Sequence, residues 1–239
     1  EPGIKTPKSI SEHPKCIIIP VEKWLTYKMA FDFSYKNLVG KVCILCNLDI
    51  FIDPNTNWKT IESTILDTNI MFCLSRYEFD GVSSASKDPN LDRLAYCNAQ
   101  DAWIFKGEHN ITLVEDCDFE IGLSGCDNAI ADRLYRSGYV LINSPNTYKI
   151  FHYDLCRQKD GTNYVEFHKK EDKLKTKNSH PEKKGYRLLP DIDKFKTLND
   201  AQEFLGIHGD IPDDLKNLQE IEKYTIICNM FTRKLILNN

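Results

Sequence analysis

Apolar residues fall into short runs separated by stretches of helical spacing, and that alternation sets the first expectations for the fold. Residues 41–54, KVCILCNLDIFIDP, open with a run rich in Val, Ile, Leu and Cys that reads as a fully buried strand and stops at Asn47-Leu48-Asp49. Carboxylates rarely interrupt a core strand. Where an apolar strand ends in an acid, the side chain lies at the carboxyl edge of the sheet, where open α/β folds place ligands and metals. Ahead of this run, residues 16–21 are a short strand candidate, and the spacing Leu25/Met29 and Tyr27/Phe31/Tyr35 predicts an aromatic-rich amphipathic helix over 24–37, closed by Gly40. After it, Trp58, Ile61 and Ile65 mark a helix and IMFCLS (70–75) the next buried strand. Strands separated by helices imply an α/β fold, with a mostly parallel central sheet and helices on both faces.

Further along, residues 76–100 are polar and irregular, long enough for a functional loop or lid, and residues 102–106 return as a strand directly after Gln100-Asp101. The segment IGLSGCDNAIADRLY (121–135) reads as a glycine-containing loop feeding a helix capped by Asp127, with Ile130/Leu134 and Ala131/Tyr135 inward and Gly138 as the stop. Capping alone stabilises a helix by about 1 kcal/mol, so Asp127 has a structural explanation as well as a catalytic one. Residues 139–143 and 147–151 read as two short strands, or one strand bent around Pro145, ending in His152. Asp49, Asp127 and His152 thus lie just past apolar segments or at a helix mouth, positions that converge at one edge of a parallel sheet.

Composition narrows the picture. The chain has 239 residues and 41% hydrophobic content, enough for a substantial core. Its net charge of −4 provides no global attraction to nucleic acid or an anionic membrane. Nine cysteines, an odd number scattered through apolar runs, point to reduced thiols and a cytoplasmic compartment. No apolar run approaches the length of a membrane span. The expected organisation is a polar arm over 1–15, a catalytic core over 16–154 and a C-terminal α+β extension over 155–239. That extension holds a basic run KKEDKLKTKNSHPEKK (169–184), helices over 197–205 and 213–224, and an apolar strand or strand pair over 224–237.

Three motifs over residues 24–154 carry a family resemblance. CNLDIFID (46–53) is similar to the strand-end Asp-x-Asp motif of nucleotide-sugar-dependent glycosyltransferases of the GT-A fold, with Asn47 in place of the first Asp. SGCDNAIADRL (124–134) resembles their later acidic motif at a helix start, and IFHYD (150–154) the histidine that completes their metal site. More narrowly, NLDIF, LSRYEFD, QDAWIF and GCDNAIA in this order resemble a little-characterised subgroup of glycosyltransferases.

The resemblance implies a Rossmann-related GT-A core and transfer of a sugar from a UDP- or GDP-sugar to a hydroxyl of a glycan or protein acceptor. It implies Mn²⁺ or Mg²⁺ held by Asp49 and His152, with Asn47 near the donor ribose or a metal-bound water, and Asp127 as general base if the reaction is inverting, a step that retaining members lack. Asp53 could add a carboxylate if the strand continues past Asp49, whereas Pro54 favours a turn there. Asp101 and Trp103 would line the acceptor side, Trp103 having core filling as its other explanation. Only about half the expected donor-binding architecture precedes Asp49, so base recognition falls to Trp24, Tyr27 or the N-terminal arm. Lys169 and Lys170 open the basic run, which is either solvated surface or a lid whose lysines meet the diphosphate.

Other chemistries find less support. Cys43 and Cys46 point to opposite faces of a strand and cannot chelate one metal. Neither a P-loop nor a G-x-G-x-x-G fingerprint is present. Two further classes compete with the transferase: a metal-dependent hydrolase or phosphoryl-transfer enzyme using the same acidic edge, and a non-catalytic relative that binds a nucleotide or glycan.

Overall fold

The computed structural model describes residues 7–78, 86–87, 96–97, 100–123, 125–152, 185, 187, 189–191 and 193. The core is a four-stranded sheet built from β1 (Val42–Cys46), β3 (Ile70–Leu74), β7 (Ala102–Lys106) and β8 (Val140–Ile142), in the order β1-β7-β3-β8. The sheet is mixed, which corrects the mostly parallel arrangement expected from strand–helix alternation. β7 runs antiparallel to both β1 and β3, and only β3 and β8 pair in parallel. The reason lies in the return of the chain: Asp101 N–H donates to Leu74 O at 2.9 Å and Ala102 stands opposite Leu74, so β7 re-enters the sheet at the end where β3 left it. Consequently β1, β3 and β8 share one direction, and their carboxyl ends meet the amino end of β7.

Helices cover both faces of this sheet. α2 (Tyr27–Asn37) and α4 (Cys126–Arg136) pack on one face, where Tyr27, Phe31, Ile130 and Leu134 join Met71, Cys73, Trp103 and Phe105 in the main core. α3 (Trp58–Asp67) packs on β1, β3 and β7, its buried Ile61 and Ile65 lying on the side opposite Trp103, where strand alternation points Phe72 and Ile104. α2 begins at Tyr27 rather than at Trp24, because Thr26 acts as its N-cap and accepts from Met29 N–H at 3.2 Å. Residues 16–21 form no strand; Ile17, Ile18, Ile19 and Val21 are exposed, and a short helix, α1 (Lys8–Ser11), precedes them.

A second sheet takes over where the first one ends. β2 (Ile50–Ile52), β4 (Arg76–Glu78), β5 (Ser86–Lys87) and β9 (Ile150–His152) form it in the order β2-β9-β4-β5. β1 therefore does not continue through Asp49. Asp53 lies in a turn, its Oδ1 accepting from Asn55 N–H at 2.8 Å, so the strand-continuation alternative falls. β10 (Leu189–Pro190) pairs with β6 (Tyr96–Cys97), and the neighbouring residues dock on α4: Arg133 donates to Gly185 O at 2.5 Å and Arg187 N–H to Asn128 O at 2.9 Å. Lys169, Lys170 and the predicted elements at 197–205, 213–224 and 224–237 lie outside the described residues. No helix among the described residues is long and apolar enough to cross a membrane.

Candidate functional site

Register assembles the site. Cys46 and Leu74 both stand opposite Ala102, so the residues just beyond them, Asn47 and Ser75, meet Asp101 at one edge of the sheet. Asn143, just past β8, completes this row: Ser75 N–H donates to its Oδ1 and its Nδ2 donates to Ser75 Oγ, each at 3.0 Å. From here two strands cross to the second sheet, β1 through Asn47-Leu48-Asp49 into β2 and β3 through Ser75 into β4. β9 lies between β2 and β4, with His152 opposite both Ile50 and Glu78. His152 thus reaches the edge laterally, from the second sheet.

That pairing brings His152 onto Asp49. Its Nε2 lies 2.9 Å from Asp49 Oδ2, the imidazole almost wholly withdrawn from solvent and the carboxylate side chain 41% exposed. The imidazole hydrogen bond, acting against burial, holds the Asp49 carboxyl below its ordinary pKa, with Arg76 adding a smaller pull in the same direction. Asp49 Oδ1 is buried and has no side-chain hydrogen-bond partner among the described residues.

Beside this pair lies a second polar cluster. Arg76 Nη1 donates to Asp101 Oδ1 at 2.6 Å, and Asn47 Nδ2 reaches the same oxygen at 3.4 Å. Asp101 is almost fully buried and ion-paired, so it acts as an internal strut rather than as the open acceptor-binding carboxylate expected from the sequence. Arg76, at the start of the polar stretch 76–100, is a site residue beyond those marked by strand-end acids. Its signal was Ser75-Arg76 directly after a buried strand, the same strand-end position that singled out Asp49.

The third element is the mouth of α4. Asp127 does not cap the helix as predicted: Gly125 occupies the N-cap position in the left-handed region at φ 74°, with no side-chain cap, and Asp127 lies within the first turn. Tyr27 OH lies 3.5 Å from Cys126 Sγ and from Asp127 Oδ1, and Cys126 Sγ lies 3.3 Å from the same carboxylate oxygen. Burial first, and then the Asp101 carboxylate, push the Asp127 pKa up to about 7, against the opposing pull of Cys126, Arg76 and Tyr27. Asp127 and Asp49 therefore both feel the same guanidinium.

Two aromatic expectations are corrected. Trp103 is 1% exposed, its ring edge-on to Tyr27 at 5.1 Å within the core, and offers no face to an acceptor sugar. Tyr27 is fully buried among Phe31, Trp103 and Phe119 and offers none to a nucleobase. Trp24 is 60% exposed just ahead of α2.

The donor set fits a hard divalent cation in part. Asp49 Oδ2 and His152 Nε2, 2.9 Å apart, offer one oxygen and one nitrogen donor, and beside them Asp49 Oδ1 has no side-chain partner among the described residues. Among the described residues no group of three or more His, Cys, Asp or Glu side chains could hold a metal ion. In comparisons with known proteins, no family model, no curated protein and no solved structure matches the chain.

Proposed function

We propose that the protein is a metal-dependent glycosyltransferase that moves a sugar from a nucleoside diphosphate donor, UDP- or GDP-linked, to a hydroxyl of a glycan or protein acceptor. The reading rests on one observation: a carboxylate and an imidazole, Asp49 and His152, meet at 2.9 Å beside an edge that also carries Asn47, Asp101 and Arg76. Asp49 and His152 would hold Mn²⁺ or Mg²⁺. Held there, the ion would supply positive charge to offset what develops on a diphosphate leaving group as the glycosidic bond breaks.

The remaining steps belong to the chain's own side chains. Asp127, with a pKa near 7, is partly ionised at neutral pH and still basic enough to accept the proton of an attacking hydroxyl. Its Oδ2 makes no hydrogen bond among the described residues and is the oxygen placed to take that proton. Asn47 is fixed through Asp101 and presents an amide to the donor, while Arg76 keeps two carboxylates tolerable within one small site.

A thermal-shift panel tests the proposal. UDP- and GDP-sugars should raise the melting temperature only with Mn²⁺ present, and Asp49→Asn should abolish that dependence. Sugar transfer to an acceptor completes the case. Release of free sugar or phosphate without an acceptor would instead assign a hydrolase to the same edge, and stabilisation with no turnover a binding relative.

A further inference from the structure

We infer that Tyr27 and Cys126 are positioning residues that form a hydrogen-bonded support for Asp127, fixing Oδ1 and leaving Oδ2 to the substrate. The inference rests on the proposed role of Asp127 as general base. The geometry is that of a short relay. The Tyr27 hydroxyl reaches Cys126 Sγ at 3.5 Å, a normal reach for a contact to sulfur, and the Cys126 thiol donates to Asp127 Oδ1 at 3.3 Å. The same hydroxyl lies 3.5 Å from Oδ1 directly, a long contact of the kind that tightens when substrate binds. Both donors converge on one carboxylate oxygen.

The relay is anchored from below. Tyr27 N–H donates to Phe119 O at 3.2 Å, Thr26 bridges to Glu120, and Thr26 Oγ1 donates to Asp118 Oδ1 at 2.9 Å, so the start of α2 is tied to the segment that leads into α4. The phenol ring is then boxed in by Trp103 at 5.1 Å, Phe119 at 5.3 Å and Phe31 at 6.4 Å. A fully buried phenol needs a partner for its O–H, and among the described residues the available ones are the thiol and the carboxylate of the proposed base. Burial drives the Cys126 pKa well up, so the group is a neutral S–H donor and not a competing nucleophile. The charged groups facing Asp127 are Asp101, from the amino end of β7, and Arg76, from β4.

The test reads Asp127 itself, without donor or acceptor. The carboxyl resonance of Asp127 is assigned by its loss in Asp127→Asn, then titrated by ¹³C NMR in the wild type, Tyr27→Phe, Cys126→Ala and Cys126→Ser. The wild-type midpoint should fall near 7. Losing a donor to the charged form should raise it by about half a pH unit or more in Tyr27→Phe and Cys126→Ala, while Cys126→Ser, which keeps an O–H, should leave it at or below the wild-type value. A purely packing role would move none of these. An unchanged midpoint in Cys126→Ala overturns the inference even if Tyr27→Phe does not fold. Because the reading needs no turnover, failure to detect sugar transfer leaves the titration result standing, and a flat titration leaves the transferase proposal intact.

Discussion

Arg76 and Asp101 meet at 2.6 Å with only 11% and 6% of their side chains exposed, and this pair joins the strand-end residues of the first sheet to the start of the second. Removing one partner of a buried pair strands the other charge, at about 3–5 kcal/mol. Arg76→Ala and Asp101→Ala should each lose stability of that order in urea unfolding, and the double variant should lose less than the sum. Arg76→Ala should also raise the pKa of both Asp49 and Asp127, since its charge lowers each.

Asp127 makes stability depend on pH in an unusual direction for a carboxyl. Its pKa rises from 3.8 to about 7 on folding, so the unfolded chain ionises first. Stability from this group is fully present below about pH 4, declines as pH rises, and is lost above about pH 7. Asp127→Asn removes the penalty. Its unfolding free energy in urea should gain on the wild type steadily between those limits, by an amount on the order of 1–3 kcal/mol at pH 8, with no gain at pH 4.

The Asp49–His152 contact has the opposite sign. The lowered pKa of Asp49 means that its contribution is present above the ordinary carboxylate range and is lost as pH falls through the lowered value. Asp49→Asn should therefore be less stable than the wild type at pH 6, and the difference should close as pH falls below the ordinary carboxylate range. With saturating Mn²⁺ at about 100 times Kd, wild-type stability should increase by about 2.7 kcal/mol, and both Asp49→Asn and His152→Ala should lose that increase in calorimetry.

Gly185 tests the docking of the late segment on α4. Its φ is 126°, and a Cβ there would lie 2.5 Å from Asp132 Oδ2. Gly185→Ala should cost about 1–3 kcal/mol from backbone strain together with displacement of Asp132, whose carboxylate pairs with Arg136 at 3.3 Å. Chemical denaturation of the purified variant measures the loss.

Much of the fold is legible in local pattern. The runs at β3 and β7 are strands buried on both faces, and α3 follows from Trp58, Ile61 and Ile65 at helical spacing; the run at β1, expected to be fully buried, is an edge strand that buries Cys43 and leaves Ile44 exposed. The pattern at residues 16–21 misleads for a related reason: Ile17, Ile18 and Ile19 have strand chemistry, but a run of apolar residues does not carry its own partner, and here they stay exposed. Strand direction is equally silent in the pattern. β7 reads the same whichever way it runs, and only the Leu74–Asp101 closure makes it antiparallel.

For the site, the chain alone marks Asp49, Asp127 and His152, because an acid or imidazole at the end of an apolar run is chemically conspicuous. The fold decides what touches what. It turns Asp101 inward onto Arg76, buries Trp103 and Tyr27 in the core, hands the α4 cap to Gly125 and brings His152 across from a second sheet. Side-chain identity is a property of one residue, whereas contact, burial and proton affinity depend on neighbours up to 103 positions away, which only the folded chain brings together.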